Sequence, residues 1–504
     1  METMTNRFFT SIDLNDHPLS HSKLPLKVSY FSLLKSFAEN VYENELTSET
    51  LNEYKKMFDI SSVPELSASE AFSYLLRPWR RKNLILLRYD LNLINCPFNV
   101  DQQKLKFEIM NHAASICTKS QYKTFCRCFE KKYSLRSNDK LSEFGNELKL
   151  QSENNRKVLS SNCKRMIITA NMSSGKSTMI NAIVGKKIVK TAQEVCTGNV
   201  SYIYSKPFED NHIHMVFDKP TINANDEELL SNDWDKKKYI ATYFNLSFHQ
   251  NERWSLIDTP GVNSSMNKQH GRITRSTLEQ REYDAIIHVL NAQQLGTDEE
   301  IAHLRWLKKH VQDRLIIFAL NKLDVFNSKE DNKDSSMDLV RADLEKIGFE
   351  NPIICPMSAY FAFLLKKKKL GACFTEDEQD EYDLYVKKFK RSAYDLSRFY
   401  PQIQIKSNDD EFTVLMKKCG FYGFEKVIFG AGKLIKQYQN QSSVSKPEII
   451  TEKNAQVNSN QEDQKAELPS SKSQQQLSEL LEKLETLSDD INRGKLNYEE
   501  RRFR

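Results

Sequence analysis

Apolar residues in the first part of the chain recur at helical spacing: Val28, Phe31, Leu34, Phe37, Ala38 and Val41 fall near one face. Ser67-Ala68-Ser69-Glu70, with apolar residues following, has the form of a capping box and predicts a helix start. The run NLILLRYDLNLI at 83–94 fits a buried helix or a strand, and its periodicity does not decide between them. From residue 160 to 360 the pattern changes. Short apolar runs alternate with helical segments: MIITA (166–170), VSYIY (200–204), SLID (255–258), AIIHVL (285–290), LIIFAL (315–320) and PIICP (352–356). Such alternation predicts a mostly parallel sheet with helices on both faces.

Helical spacing returns over 361–440, around Tyr382, Phe389, Leu396, Val414 and Val427. Residues 441–472 turn to Gln, Ser, Asn, Lys and Glu, the composition of a flexible linker. In 473–504, Leu477, Leu480, Leu484, Leu487 and Ile491 make a two-heptad seam on an amphipathic helix. The seam leaves open whether that helix joins another chain or docks back on its own. The expected divisions are a helical region 1–155, an α/β domain 156–360, a helical region 361–440, the linker and the final helix.

Composition sharpens this picture. The 504 residues carry 73 Lys+Arg against 68 Asp+Glu, a net charge of +5, too small to point to a nucleic-acid coat. Of the 14 glycines none precedes Gly145, so the first region is poor material for a turn-rich β domain and reads as helical. The nine cysteines are odd in number and scattered, which predicts a reduced, cytoplasmic setting and no disulfide scaffold. Cys126 and Cys128 lack zinc-knuckle spacing and are read as structural. The first residues have no apolar leader pattern, and no run reaches the roughly 18 apolar residues of a spanning helix. Contact with a membrane surface is not excluded by that test.

The chemistry concentrates in four places. The strand MIITA leads into Ala170-Asn171-Met172-Ser173-Ser174-Gly175-Lys176-Ser177-Thr178, a phosphate-binding loop with Ala170 at the first glycine position. Consecutive backbone N–H groups at a helix N-terminus make an oxyanion cradle. Gly175 lets the chain approach the phosphates, Lys176 bridges the β and γ groups, and Ser177 offers a hydroxyl to Mg²⁺. The apolar strand before Asp258-Thr259-Pro260-Gly261 ends in a carboxylate suited to the metal's water shell, and Gly261 can present its N–H to a γ-phosphate. LIIFAL then leads into Asn321-Lys322-Leu323-Asp324, where a carboxylate can accept from the N1–H and N2 amine of guanine. Met357-Ser358-Ala359 follows another apolar strand, where a backbone N–H can meet the guanine O6. Each motif alone makes a good turn or loop; four in order, each at the carboxyl end of a strand, predict a guanine-nucleotide site.

The segment NMSSGKSTMINAIVG, then Cys196-Thr197, DTPGV, HVLNAQQLGTDEE and ALNKLD resembles the GTPase domain of the dynamin superfamily, and of bacterial dynamin-like proteins in particular. The resemblance covers about 160–360 and is only architectural in the flanks. It implies an α/β P-loop GTPase domain flanked by helical regions that build a neck or stalk. It implies GTP as substrate, Mg²⁺ as cofactor, and heads that pair to complete the catalytic machinery. Ser173 and Thr197 take catalytic positions by this resemblance, with Thr197 also on the metal. Self-association is the implied partnership, with a second dynamin-like subunit at the C-terminal helix and a membrane surface as further expectations. Met172 stands where eukaryotic dynamins carry a water-orienting Gln, which keeps a slow or non-hydrolysing GTP-gated scaffold as the alternative. An RNA-associated GTPase of the Era type ranks lower, because 361–440 does not read as a β-containing RNA module.

Weaker signals have bland readings. Lys366–Lys369 reads as the solvated end of a helix packed on the sheet, rather than a membrane-surface helix. Arg77-Pro78-Trp79-Arg80 reads as a turn, Gly420-Phe421-Tyr422-Gly423 as a turn into a helix, and the basic run 119–132 as a solvated helix face.

Overall fold

The computed structural model describes residues 10–98, 101–129, 140–191, 199–217, 220–230, 237–248, 252–262, 268–311, 313–325, 333–432 and 434–435. The linker 441–472, the leucine helix 473–504 and Thr197 lie outside them. The first region is helical: α1 (Leu24–Val41), α2 (Glu45–Met57), α3 (Ala68–Leu75), α4 (Asn83–Asn95), α5 (Gln102–Ile116), α6 (Lys119–Phe129) and α7 (Lys140–Ser160). In α1, Val28, Phe31, Leu34, Phe37 and Ala38 are all buried. The capping box at the start of α3 forms as expected, with Ser67 accepting from the Glu70 N–H and Glu70 from the Ser67 N–H; such caps contribute about 1 kcal/mol.

The ambiguous run at 83–94 is α4. Leu84, Leu87, Leu91 and Ile94 follow helical spacing, but Leu86 and Leu93 are buried as well, which leaves only a narrow half-buried face at Ile85, Arg88, Tyr89 and Asn92. Asp90 sits at its centre, fully buried. It accepts from the hydroxyls of Tyr30 and of Tyr54 (2.9 Å) and from His17 Nε2 at 3.3 Å. The Leu19 N–H donates to His17 Nδ1 at 3.2 Å, which leaves the ring proton on Nε2, facing Asp90.

The second region is a nine-stranded sheet in the order β4-β3-β5-β2-β6-β1-β7-β8-β9. Its strands are β1 (Lys164–Ala170), β2 (Ser201–Ser205), β3 (His214–Val216), β4 (Pro220–Thr221), β5 (Lys238–Thr242), β6 (Trp254–Asp258), β7 (Ala285–Asn291), β8 (Leu315–Asn321) and β9 (Ile353–Pro356). The block β6-β1-β7-β8-β9 is parallel, and β2 meets β6 antiparallel. All six predicted strands form. The strands β5, β3 and β4, which extend the sheet beyond β2, were not foreseen, because two- and three-residue strands and the mixed KYIAT carry no usable period. Buried apolar residues fill β1, β6 and β7, as a parallel sheet covered on both faces requires. The intervening helices are α8 (Lys176–Val184), α9 (Asp226–Leu230), α10 (Lys268–Gln280), α11 (Asp298–His310) and α12 (Lys333–Ile347).

Beyond β9 come α13 (Ala359–Lys369), α14 (Glu376–Phe389), α15 (Glu411–Lys418) and α16 (Phe421–Gly430). Their buried residues, among them Phe361, Phe389, Leu415, Phe424 and Ile428, share one core with the sheet, whereas Ile12 to Leu148 form a separate core. Lys366 is buried against Glu425 (2.5 Å), Lys367 pairs with Glu378 (2.6 Å) and Lys369 lies 4.1 Å from the Phe412 ring. Lys366 thus belongs to the core and Lys367 to its edge, while Lys368 and Lys369 are exposed at the end of the helix. Gly420, with φ of 76°, starts α16, and a Cβ there would lie 2.2 Å from the Pro356 carbonyl.

The two cores are joined through the segment before α1. Ser11 exchanges hydrogen bonds with the Asn155 side chain of α7 (2.9 and 2.8 Å). Its hydroxyl donates to Phe208 O (2.6 Å), and the Ile12 N–H donates to Asp210 (2.8 Å) in the loop after β2. Asp210 is paired with Lys206, both side chains fully buried.

Candidate active site

The four motifs meet at the carboxyl edge of the parallel strands. Ala170 ends β1 within the sheet, opposite Val289, and is fully buried with no positive φ, so its methyl group belongs to the core and the strand needs no glycine there. Ser173 turns the loop at φ 61° and Gly175 at φ 90°, delivering the chain to the N-terminus of α8. The Ser174 hydroxyl donates to the Asn171 carbonyl (2.6 Å), closing the loop on itself. Ser177 and Thr178 are half-buried in the first turn of α8. Lys176 reaches across to Asp258 at the end of β6 and forms a buried ion pair with it.

The Asp258-to-Gly261 segment is strapped to the loop. Thr259, fully buried, donates from its hydroxyl to the Ile168 carbonyl (2.7 Å). The Val262 N–H donates to Ala170 O (3.0 Å), and a Cβ on Gly261 would lie 3.3 Å from Met172. Thr274 of α10 donates to Pro260 O (2.7 Å), so that helix is tied to the same turn. Sequence reasoning did not single out Thr259 or Thr274; their partners are backbone carbonyls distant in the chain.

Asn321 binds the loops together. Its side-chain nitrogen donates to Ser174 O (3.0 Å), and its oxygen accepts from the Ala359 N–H (3.0 Å). The Ser358 N–H donates to Cys419 O (3.0 Å). These two amides brace the loops internally. Lys322 takes φ 68°, a left-handed turn that brings Asp324 back beneath the loop. Asp324 is 4% exposed. Burial pushes its pKa up, while its own backbone N–H, the nearby Ser358 and Tyr385 hydroxyls and Lys388 oppose the rise. Tyr385 and Lys388 belong to α14, and nothing in their spacing to the motifs announced that they lie near Asp324. Among the described residues, no group of three or more His, Cys, Asp or Glu side chains is placed to hold a metal ion.

The sequence model of the dynamin family matches residues 166–323, from β1 through the Asn321 loop. This stretch is a dynamin-family GTPase domain. The chain is 26% identical over 206 residues to a curated relative from Arabidopsis thaliana, the probable transmembrane GTPase FZO-like, chloroplastic. That match covers 40% of this chain and 20% of the relative, so the chain spans about a fifth of that protein's length. Among solved structures, an oligomerised bacterial dynamin pair is similar at 14% identity and a TM-score of 0.33, over 88% of this chain and 76% of that one. Aquifex aeolicus Era bound to GDP·AlF4⁻ is similar at 17% identity and a TM-score of 0.24, over 42% and 57%. Among the described residues, no helix is long and apolar enough to cross a membrane.

Proposed function

We propose that this chain binds GTP with Mg²⁺ at the carboxyl edge of its sheet, hydrolyses it, and couples turnover to movement of a membrane or a partner. The observation that carries the reading is the pair of hydrogen bonds made by the Asn321 side chain, which ties the phosphate loop to the last loop with Asp324 three residues on. The first-turn N–H groups of α8 receive the phosphates, and Lys176 and the loop amides stabilise charge on the γ-phosphoryl group as water attacks. A triphosphate in the loop competes with Asp258 for Lys176.

The oxygen donors suit a hard cation: the Ser177 hydroxyl at the start of α8 and the buried Asp258 carboxylate, acting through water. Thr197 would complete this set. Mg²⁺ supplies neutralisation of the phosphoryl oxygens. Ser173, exposed in the loop, would meet the paired head. Residues 10–160 act as the helical neck, joined to the head through Ser11 and Ile12, and the 473–504 helix is the candidate contact for a second subunit.

The test is GTP turnover per mole of protein over a dilution series, with Lys176→Ala as control. Head pairing requires specific activity to rise with concentration; a flat profile defeats that part, and turnover by Lys176→Ala equal to wild type defeats the site. Met172, packed against Gly261, favours a second reading, a slow GTP-gated scaffold. Bound GTP surviving for hours with enzyme in excess would select it.

A further inference from the structure

The turn expected at Arg77–Arg80 forms between α3 and α4 and holds an indole in the open. Trp79 is 69% exposed, the most of any large apolar side chain among the described residues. The backbone around it is fixed. The Arg80 N–H donates to Arg77 O (2.8 Å), the Asn83 N–H to Arg80 O (2.9 Å) and Arg81 Nε to Leu76 O (2.7 Å). The Arg80 guanidinium lies 3.5 Å from the centre of the Tyr74 ring. Arg77 and Lys82, which flank the indole in sequence, are exposed.

A second basic element adjoins this turn. Gln121 of α6 donates to the Ser73 hydroxyl (3.0 Å), and Phe125 meets Phe72 at 5.1 Å. The first turns of α6 thus lie against the end of α3 and bring exposed Lys119 and Lys123 to the same end of the bundle. The stretches that carry these side chains, 71–89 and 109–129, hold no Asp or Glu, although 68 of the 504 residues are acidic. From the turn, α4 leads toward the head. A Cβ on Gly145 would lie 3.0 Å from the Tyr89 ring, and Asn92 accepts from Arg156 (3.4 Å), next to the Asn155 that binds Ser11. The basic turn therefore sits at the end of the helical region remote from its junction with the head.

We propose that this end is a docking surface for an anionic lipid bilayer, with Trp79 seated at headgroup level and Arg77, Lys82, Lys119 and Lys123 against the lipid phosphates. The proposal rests on the membrane arm of the function proposed above and names the face that serves it. An indole joins an apolar body to an N–H donor and is enriched at membrane–water interfaces. Each Lys or Arg near an anionic surface adds about a factor of five in affinity. A single-stranded nucleic acid is held in a basic groove by several stacking aromatics. Here one indole stands on a projecting turn, which suits a surface better than a strand.

The experiment is co-sedimentation of the full chain, without nucleotide, with vesicles of phosphatidylcholine alone or with about a third phosphatidylserine. Wild type is expected on the anionic vesicles, and less of it as salt rises from about 0.15 M to about 0.5 M. Arg77→Gln/Lys82→Gln should lower partitioning about thirtyfold, a factor of about five for each charge. Trp79→Ser should lower it on the order of tenfold, while Trp79→Tyr keeps most of the affinity. Thermal unfolding that matches wild type shows that each variant is folded. Wild type that ignores both vesicles or binds the two equally overturns the proposal, as does anionic binding that these substitutions leave intact. Single-stranded RNA binding that needs Trp79 and Arg77, with vesicles ignored, overturns it in favour of a nucleic acid. None of these results touches the nucleotide site, which the turnover assay tests separately.

Discussion

Replacing Lys366 with Met tests how the C-terminal helices are locked to the phosphate-loop helix. Lys366 Nζ lies 2.5 Å from Glu425 Oε1 and 3.1 Å from the Ile183 carbonyl near the end of α8, and Glu425 Oε2 accepts from the Ser247 N–H at 3.0 Å. Both side chains are within 2% of complete burial. Burial pulls Lys366 toward its neutral form and Glu425 resists that. Lys366→Met fits the volume but strands the Glu425 charge, which costs about 3–5 kcal/mol. For a unit of this size that corresponds to a fall in Tm of roughly 6–20 °C. In Lys366→Met/Glu425→Leu both charges are gone, and the residual cost is the lost bonds to Ile183 O and Ser247 N–H, about 1–2 kcal/mol each. The double variant should therefore be no less stable than the Lys366→Met single. Thermal unfolding followed by circular dichroism, without nucleotide, measures all of them. A single variant within 1 kcal/mol of wild type, or a double variant worse than either single, would refute the reasoning.

Two further outcomes follow from the geometry. Gly175→Ala would place a Cβ 2.2 Å from Asn321 Nδ2 at a φ of 90°, breaking the bond that joins the loops; GDP affinity should fall more than about tenfold, while Gly271→Ala, with nothing within 4 Å, should bind normally. Glu300, buried at the start of α11 with one bond from the Gly296 N–H, has its pKa pushed up to about 7 by burial. Folding then takes up a proton between the ordinary carboxyl value of 4.5 and about 7, so stability falls as pH rises through that window. Glu300→Gln should gain on the order of 2 kcal/mol at pH 8 and nothing at pH 4.5. Equal effects at both pH values in denaturant titrations would contradict the assignment.

Period, punctuation and motif were legible in the sequence because they depend on neighbours in the chain. The capping box at Ser67, the six apolar strands and the order of the four loops all belong to that class. The helix at 83–95 was not legible, because burial around most of its circumference leaves only a narrow half-buried face, in which Arg88 and Asn92 stand beside Ile85 and Tyr89. The site divides in the same way. The sequence by itself determined which residues reach the carboxyl edge of the sheet: the loop from Asn171 to Thr178, Asp258, Gly261, Asn321 and Asp324. Only the tertiary structure decided that Asn321 bridges two loops, that the Ser358 and Ala359 amides bond inside the protein, and that Lys388 of α14 donates to the Asp324 backbone carbonyl. It also decided that the helices after 359 complete the core of the sheet while the first 160 residues keep their own. The reason is physical: a motif is written in consecutive residues, but desolvation and hydrogen-bond satisfaction depend on which distant segments exclude water from it.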